Sequence, residues 1–201
     1  MFARHALQRF SRPRVANLIR GPGSDGGSSR QLWAWINMMF NRVDQDRLKQ
    51  FGPDRACAEW LLRNGARVKF CNQKQLHVNY NFLPDESVPL AVEEIDGTDS
   101  GISSLGFDHL KNLKRLRKIK LHNCVYVENE ALDKLKFVVD TLEELEVSSC
   151  KNITDQGLLY IKDLKNLKLL SASNLPYVKD MKVVEQELKK YIPNCSIDLQ
   201  V

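Results

Sequence analysis

The chain has 201 residues, enough for one substantial hydrophobic core, and a formal net charge of +5 at pH 7. The whole excess lies in residues 1–30, which carry six arginines and one acid, whereas the remaining residues carry 24 bases and 24 acids. A body with no net charge and no basic stripe excludes broad nucleic-acid binding as its function.

The first thirty residues have the composition of a mitochondrial transit peptide. They are rich in arginine, contain no acid before Asp25, and end in a stretch of glycine and serine. A secretory signal peptide is a poorer match, because no apolar run of about seven residues follows the first charge. A disordered basic tail is the alternative interpretation. We predict a transit peptide over residues 1–30.

Residues 31–65 predict a small group of helices. As a helix, the segment 32–40 (LWAWINMMF) would be apolar on nearly every side, so it needs to be covered. Packing on the chain's own body and docking on a membrane surface or partner are both open, with Trp33 and Trp35 as candidate contact residues. Gly52-Pro53-Asp54 predicts the start of the next helix. Gly65 is placed to end that helix in a left-handed conformation.

Residues 66–90 connect these helices to the rest of the chain. Ala66–Phe70 is short and strand-like, and 71–89 is polar and aromatic with no clear period, which predicts a connector folded over the body. No apolar run in the sequence approaches the roughly twenty residues that cross a bilayer. We therefore predict a helical N-terminal domain with its connector over residues 31–90.

From residue 91 onward one apolar pattern recurs five times, at steps of 24 to 26 residues. The pattern follows the leucine-rich-repeat template L-x-x-L-x-L-x-x-N/C, in which each repeat is a short parallel strand with a helical return leg. A single repeat cannot bury its own apolar side, so the copies must stack. We therefore predict an α/β fold: a leucine-rich-repeat solenoid of short parallel strands and convex helices over residues 91–201, preceded by the helical domain. Asn129 and either Thr154 or Asp155 are predicted to cap return helices.

Side chains between the core positions of each strand are predicted to form the concave face, because alternate residues of a strand point to opposite sides. They make three rows: Glu94, Lys118, Glu144, Leu169; Asp96, Lys120, Glu146, Ser171; and Thr98, His122, Ser148, Ser173. The first two rows alternate acid and base, which predicts cross-strand ion pairs. A solvated, self-neutralised face and a recognition surface are both consistent with this pattern. The candidate partner-binding residues are Lys118, Lys120, His122, Glu144 and Glu146.

The sequence contains no catalytic motif, and we predict a protein that is not an enzyme. Five cysteines without a Cys-x-x-Cys pair fit a reducing compartment. Cys124 and Cys150 close two repeat strands and are predicted to be core thiols, although Cys124 lies two residues after His122 and is kept as a candidate thiol site. The turn Asp96–Ser100 offers oxygens of the kind that hard cations prefer, but such turns are common without an ion.

Several stretches resemble the family of mitochondrial ATP synthase subunit s, also called coupling factor B. They are WAWINMMFNRVDQDR (33–47), GPDRACAEWLLRNGA (52–66), YNFLP (80–84), IDGTDSGISSLGFDHL (95–110) and NITDQG (152–157). The resemblance implies a peripheral protein on the matrix side of the mitochondrial inner membrane. It also implies association with the membrane sector of ATP synthase, where the protein would prevent proton leak so that the gradient drives ATP synthesis.

The resemblance further implies a weakly bound, structural Mg²⁺ held through Gly65 and Thr98. The family's Cys-x-Cys pair is not complete here, because His122 occupies the first position and only Cys124 remains. Two other functions stay open: an assembly factor for the membrane arm of respiratory complex I, and an enzyme, magnesium-dependent or thiol-based, with His122 or Asp96 as its base. Formation of a homo-oligomer is also open.

Overall fold

The computed structural model describes residues 26–200, so most of the predicted transit peptide lies outside the described residues. The chain divides into an N-terminal unit that ends at Ala34 and a second unit, Trp35–Val201. Within the described part, helix α1 (Gly26–Asn41) is the element that begins in the first unit, and every other element belongs to the second. The predicted domain boundary near residue 90 stays a prediction.

Helix α2 (Gln45–Arg63) is bent at a glycine, as its sequence predicts. Asp44 caps it, because its carboxylate accepts from the amides of Asp46 and Arg47 at 3.0 Å. Gly52 has a φ of +80°, and Pro53 starts the second helical segment, where its missing N–H costs nothing. Past the end of α2, Gly65 also has a φ of +80°, which confirms its predicted left-handed conformation.

The second unit is built on one six-stranded sheet whose strand order follows the sequence. The strands are β1 (Arg67–Phe70), β2 (Val92–Asp96), β3 (Lys118–His122), β4 (Glu144–Ser148), β5 (Leu169–Ser173) and β6 (Ser196–Gln200). β1 pairs with β2 antiparallel, and all the later pairs are parallel. The α/β class and the five predicted parallel strands are therefore confirmed.

The return segments are shorter and tighter than the predicted helices. Three α-helices occur here, α3 (Asn129–Asp133), α4 (Asp155–Leu159) and α5 (Met181–Tyr191). The remaining return segments are 3₁₀ turns at Ser104–Leu110, Lys134–Val138 and Tyr160–Asp163. With 24 to 26 residues per repeat, little chain is left between strands for long helices.

The core of the sheet consists of apolar rows that run across the strands. Ile119, Leu145 and Leu170 are register partners on β3, β4 and β5, and each is 1 % exposed or less. Burying such a side chain contributes about 1.5 to 3 kcal/mol, and here the contribution recurs in every repeat. Cys124 and Cys150 are fully buried at the ends of their strands, as expected of core thiols.

Polar side chains tie each repeat to the next at one recurring position. The Ser104 hydroxyl accepts from the amide of Glu128, and the Asn129 side chain accepts from the amide of Thr154 at 3.0 Å. Asp155 does the same for the amides of Lys179 and Asp180. The prediction that Asn129 caps α3 is therefore wrong: Glu128 is the cap residue, and Asn129 bonds forward to the next repeat. Thr154 is the cap residue of α4, but its side chain makes no capping bond.

Candidate functional site

The predicted rows of polar side chains lie on one face of the sheet, which we call the polar sheet face. The register places Glu94, Lys118 and Glu144 in one row and Asp96, Lys120 and Glu146 in the next. Leu169 and Ser171 continue these rows on β5. These two predicted rows are confirmed. In the third row, His122, Ser148 and Ser173 are register partners, whereas Thr98 lies beyond the end of β2.

Two ion pairs on the polar sheet face join β3 to β4. Lys118 Nζ lies 2.7 Å from Glu144 Oε2, and Lys120 Nζ lies 2.9 Å from Glu146 Oε1. The Glu144 carboxylate raises the pKa of Lys118. All four side chains are more than a third exposed, so each pair is worth at most about 1 kcal/mol to stability.

The acids of β2 have partners that the repeat pattern did not predict. Arg67 Nη1 on β1 lies 2.7 Å from Asp96 Oδ2, and Lys69 pairs with Glu93 and Glu94. The predicted ion pairs between β2 and β3 are therefore wrong. The acids of β2 pair instead with the bases of β1, which lies on the other side of β2. The signal was present in the sequence, since Arg67 and Lys69 alternate with Val68 and Phe70 as half-buried strands require.

Asp96 has an ion-pair partner and a backbone hydrogen bond, and both favour its charged form. Burial opposes its ionisation, yet Thr98 and the Arg67 guanidinium outweigh burial and lower the pKa of Asp96. The Thr98 amide donates to Asp96 Oδ1 at 3.0 Å. A carboxylate held in its charged form is a poor general base, so Asp96 does not suit the proposed catalytic role.

His122 is held by its neighbours on the same face. Its Nδ1 lies 2.8 Å from the Ser148 hydroxyl, which in turn lies 3.5 Å from Glu146 Oε1. Here the serine lies between the histidine and the carboxylate. Activation of a serine nucleophile needs the histidine in the middle, between the serine and the carboxylate. His122, Ser148 and Glu146 therefore form a polar anchor between β3 and β4.

Cys124 lies next to His122 in sequence but faces the core. It is fully buried, and its thiol donates to the carbonyl of Gly97 at 3.0 Å. The Cys150 thiol beside it and burial both raise the pKa of Cys124, so the group is a neutral thiol at physiological pH. A reactive cysteine needs a cationic and partly exposed setting, which this site does not provide.

The face changes character between β4 and β5. Its first four strands carry the paired charges, whereas β5 presents Leu169, Ser171 and Ser173, and Leu169 is 42 % exposed. An exposed apolar side chain beside the charge pairs combines two kinds of contact in one surface. Protein interfaces combine a less polar centre with a polar rim in the same way.

A second polar cluster lies where α1 and α2 end, and we call it the asparagine junction. Asn41 is fully buried, and its Oδ1 accepts from Trp60 Nε1 at 3.0 Å and from the amide of Ser103 at 2.8 Å. Its Nδ2 donates to the carbonyl of Gly101 at 3.1 Å and to Asn64 Oδ1 at 3.3 Å. One side chain thus bonds both helix ends to the turn that follows β2.

Gly65 and Thr98, the magnesium ligands implied by the resemblance, flank this junction in sequence. The amide of Gly101 donates to the carbonyl of Asn64 at 2.9 Å, which brings the two segments together. The Thr98 hydroxyl is buried and makes no hydrogen bond within the described residues. A buried oxygen without a partner is available as a metal ligand. No group of three or more His, Cys, Asp or Glu that could hold a metal occurs in residues 26–200. An ion at the position that the resemblance implies would therefore depend on Gly65, Thr98 and water for its ligands.

The side chains of Trp33 and Trp35 on α1 are exposed, at 54 % and 55 %. Met38, Met39 and Phe40 are also exposed on the following turn. Packing on the chain's own body and docking on a membrane surface or partner both stay open for the segment 32–40. None of the helices between residues 26 and 200 is long and apolar enough to span a bilayer.

Comparisons with known proteins agree with the sequence resemblance. The chain is 41 % identical over 177 residues to human "ATP synthase subunit s, mitochondrial", covering 86 % of this chain and 88 % of that protein. The mouse protein of the same name is 42 % identical over 178 residues, with the same coverage. "Distal membrane arm assembly component 2" of Drosophila melanogaster is 25 % identical over 184 residues, covering 85 % of this chain and 64 % of that protein. No family model matches the chain.

Proposed function

The chain belongs to the family of mitochondrial ATP synthase subunit s, and from this premise we propose that it is a non-enzymatic accessory subunit of the mitochondrial ATP synthase. Its location would be the matrix side of the inner membrane, as a peripheral protein. There it would associate with the membrane sector of the enzyme and prevent proton leak, so that proton flow stays coupled to ATP synthesis.

A leucine-rich-repeat solenoid is the scaffold we propose for this role. Strand starts at steps of 25 to 27 residues, consecutive parallel pairing and buried thiols at two strand ends all support it. The left-handed residues Asp99, Asn123, Ser149 and Asn174 recur at steps of 24 to 26 residues: Asp99 lies three residues after β2, and the other three directly follow β3, β4 and β5. A stack of this kind produces a broad surface instead of a closed cleft, and broad surfaces bind macromolecules.

The polar sheet face is the observation that carries the binding proposal. Lys118, Lys120, His122, Glu144 and Glu146 form a fixed pattern of charge on adjacent strands, with Leu169 beside it. Electrostatic patterns of this kind direct association and select partners more than they stabilise the fold. The exposed Trp33 and Trp35 offer a second, apolar contact to the same complex or to the membrane surface.

We also propose a weak structural Mg²⁺ at Gly65 and Thr98. When bound, the ion would supply positive charge to the Gly65 carbonyl and the Thr98 hydroxyl and strengthen the link beside the asparagine junction. The orphaned Thr98 hydroxyl supports this assignment. Thr98→Val should remove any Mg²⁺-dependent rise in melting temperature and leave the metal-free melting temperature close to that of the wild type.

A second candidate function is assembly of the membrane arm of respiratory complex I. The fly relative, which is named as an assembly component of a distal membrane arm, is the observation that favours it. The enzyme hypothesis has less support, because His122 bonds to a serine, the pKa of Asp96 is lowered, and Cys124 is buried. We keep the accessory-subunit function as the conclusion.

Native electrophoresis of solubilised mitochondria separates the two candidates. We expect the chain to migrate with ATP synthase, and the double variant Lys118→Glu with Lys120→Glu to migrate alone. Lys151→Glu with Lys182→Glu makes the same change of charge at exposed lysines away from the polar sheet face and should still migrate with the enzyme. Migration with the complex I arm and never with ATP synthase would favour assembly.

The proposed prevention of proton leak needs its own measurement. Membranes depleted of the protein should dissipate a proton gradient faster than complete membranes, and the purified chain should restore the slower rate. The charge-reversed double variant should not restore it. An unchanged leak on depletion would remove the coupling role while leaving association with the complex possible.

A further inference from the structure

A cleft of about 350 Å³ lies at the opposite end of the strands from His122, where the turns that precede β3, β4 and β5 meet. Its charged lining residues are Lys114, Arg115, Arg117, Asp140, Glu143 and Lys168. None of the partner-binding, metal or thiol residues discussed above belongs to it. Its volume is at the lower end of the range for small-molecule sites.

The cleft carries a net positive charge, whereas residues 31–201 as a whole have no net charge. Four bases and two acids line it, and one of the acids is already neutralised, because Lys168 Nζ lies 2.8 Å from Glu143 Oε2. Lys168 also lowers the pKa of Glu143. Within the described residues, no carboxylate forms an ion pair with Lys114, Arg115 or Arg117, which leaves three cations against Asp140.

The walls of the cleft are fixed by hydrogen bonds between the turns. The amide of Glu143 donates to the carbonyl of Arg117 at 2.8 Å, and the amide of Lys168 donates to the carbonyl of Glu143 at 2.7 Å. Asn166 Nδ2 donates to the carbonyl of Asp140 at 3.0 Å. Three adjacent turns are thus held at set spacings, so the bases project from a preorganised frame.

We propose that this cleft binds a small anion that carries phosphate. Two guanidinium groups present forks that match phosphate oxygens in pairs, and Lys114 adds a third positive charge. The volume admits a diphosphate-sized group and is too small for a length of nucleic acid or a folded partner. A free phosphate compound and the headgroup of a phospholipid share this chemistry.

Titration with inorganic diphosphate and co-sedimentation with vesicles test the proposal on the full-length chain. We expect saturable binding of diphosphate, or binding to phosphatidylcholine vesicles only when phosphatidic acid is included. The double variant Arg115→Gln with Arg117→Gln should weaken the interaction at least tenfold, because each arginine contributes charge-assisted hydrogen bonds. Both side chains are exposed, so the fold should survive, as a melting curve would verify.

Two further variants make the test specific to the cleft. Lys151→Gln with Lys182→Gln removes the same net charge at exposed sites elsewhere and should leave binding unchanged. Glu143→Gln frees Lys168 and removes an acid from the cleft, so binding should become tighter. Binding of free diphosphate identifies a soluble ligand, and binding of phosphatidic acid vesicles alone identifies a lipid headgroup. Failure of both probes, or equal loss in the cleft and control variants, would overturn the proposal.

Discussion

The asparagine junction and the stack of repeats are held together in opposite ways. The stack uses the same contacts several times, since each strand adds a buried apolar residue to a row and each turn bonds to its neighbour. The junction depends on one side chain, Asn41, which makes four hydrogen bonds to groups outside its own helix and has no equivalent elsewhere in the described chain. A repeated contact tolerates the loss of one copy, whereas a single buried hub does not.

Asn41→Ala should have the largest effect on stability. The change leaves Trp60 Nε1 and the amide of Ser103 without an acceptor in a buried site, and each orphaned donor costs about 1 to 3 kcal/mol. We expect the free energy of unfolding to fall by roughly 4 kcal/mol in urea titrations. The loss should be accompanied by a change in the fluorescence of Trp60.

Asn152→Ala is the matched control within the stack. Asn152 is exposed and donates to the carbonyl of Val125 at 2.9 Å, so its loss should cost less than about 1 kcal/mol. If the two alanine variants were equally stable, the junction would not be the single hub that the structure indicates.

His109 makes the stability of the junction region depend on pH, which is a further difference from the stack. Its ring stacks on Trp60 at a centroid distance of 5.0 Å, and neither of its ring nitrogens has a hydrogen-bond partner within the described residues. Burial lowers the pKa of His109 to about 4, so the folded state keeps the imidazole neutral while the unfolded chain takes up a proton near pH 6.5. The unfolded state is therefore favoured increasingly as the pH falls from about 6.5 to about 4.

The expected loss over this pH window is about 2 to 3 kcal/mol, measured by urea unfolding at a series of pH values. His109→Phe preserves the aromatic stacking and removes the titration, so its stability should change less between pH 7 and pH 4. Equal acid sensitivity in the two proteins would assign the effect to other groups.

Asn129→Ala tests whether the polar contacts of the stack are as redundant as its apolar rows. Asn129 accepts from the amide of Thr154 at 3.0 Å and donates to the Thr154 hydroxyl at 2.9 Å. We expect a loss of about 1 to 2 kcal/mol, smaller than for Asn41 because Ser104 and Asp155 make the same kind of contact in adjacent repeats.

The intermediate variant Asn129→Asp retains the acceptor and loses only the donor, so its stability should lie between those of the wild type and Asn129→Ala. A loss for Asn129→Ala as large as that for Asn41→Ala would mean that the repeats are not interchangeable supports.

The stack could be predicted from the sequence because its apolar residues recur at a nearly constant spacing. The spacing of Leu116, Leu142 and Leu167 sets the strand positions, and the alternation within each strand then sets the rows of the polar sheet face. The short return legs were less predictable, since helix signals such as Asn129 also serve to bond adjacent repeats.

The junction and the edge of the polar sheet face could not be predicted in the same way. Asn41 has no periodic signal, and a buried asparagine is recognised only when the groups it bonds are known. The pairing of Arg67 with Asp96 depends on β1 running antiparallel to β2, and the repeat pattern has no bearing on a strand that lies outside it. Contacts between unlike segments carry little signal in either segment alone.

The ion pairs of the polar sheet face should have the smallest effect on stability. Lys118→Gln with Lys120→Gln removes two exposed pairs, each worth about 0.2 to 1 kcal/mol, so the free energy of unfolding should fall by roughly 1 kcal/mol or less. Association with solubilised ATP synthase should nevertheless weaken and lose most of its dependence on salt.

This separation of stability from binding distinguishes a recognition surface from a face that is merely solvated. Lys136→Gln with Lys189→Gln removes two exposed ion pairs from the return segments and provides the matched control. If both double variants behaved alike in binding, the charges on β3 and β4 would only keep the sheet soluble. If the first alone lost its partner, residues that contribute little to the fold would be the ones that select the complex, which is the reverse of the role of Asn41.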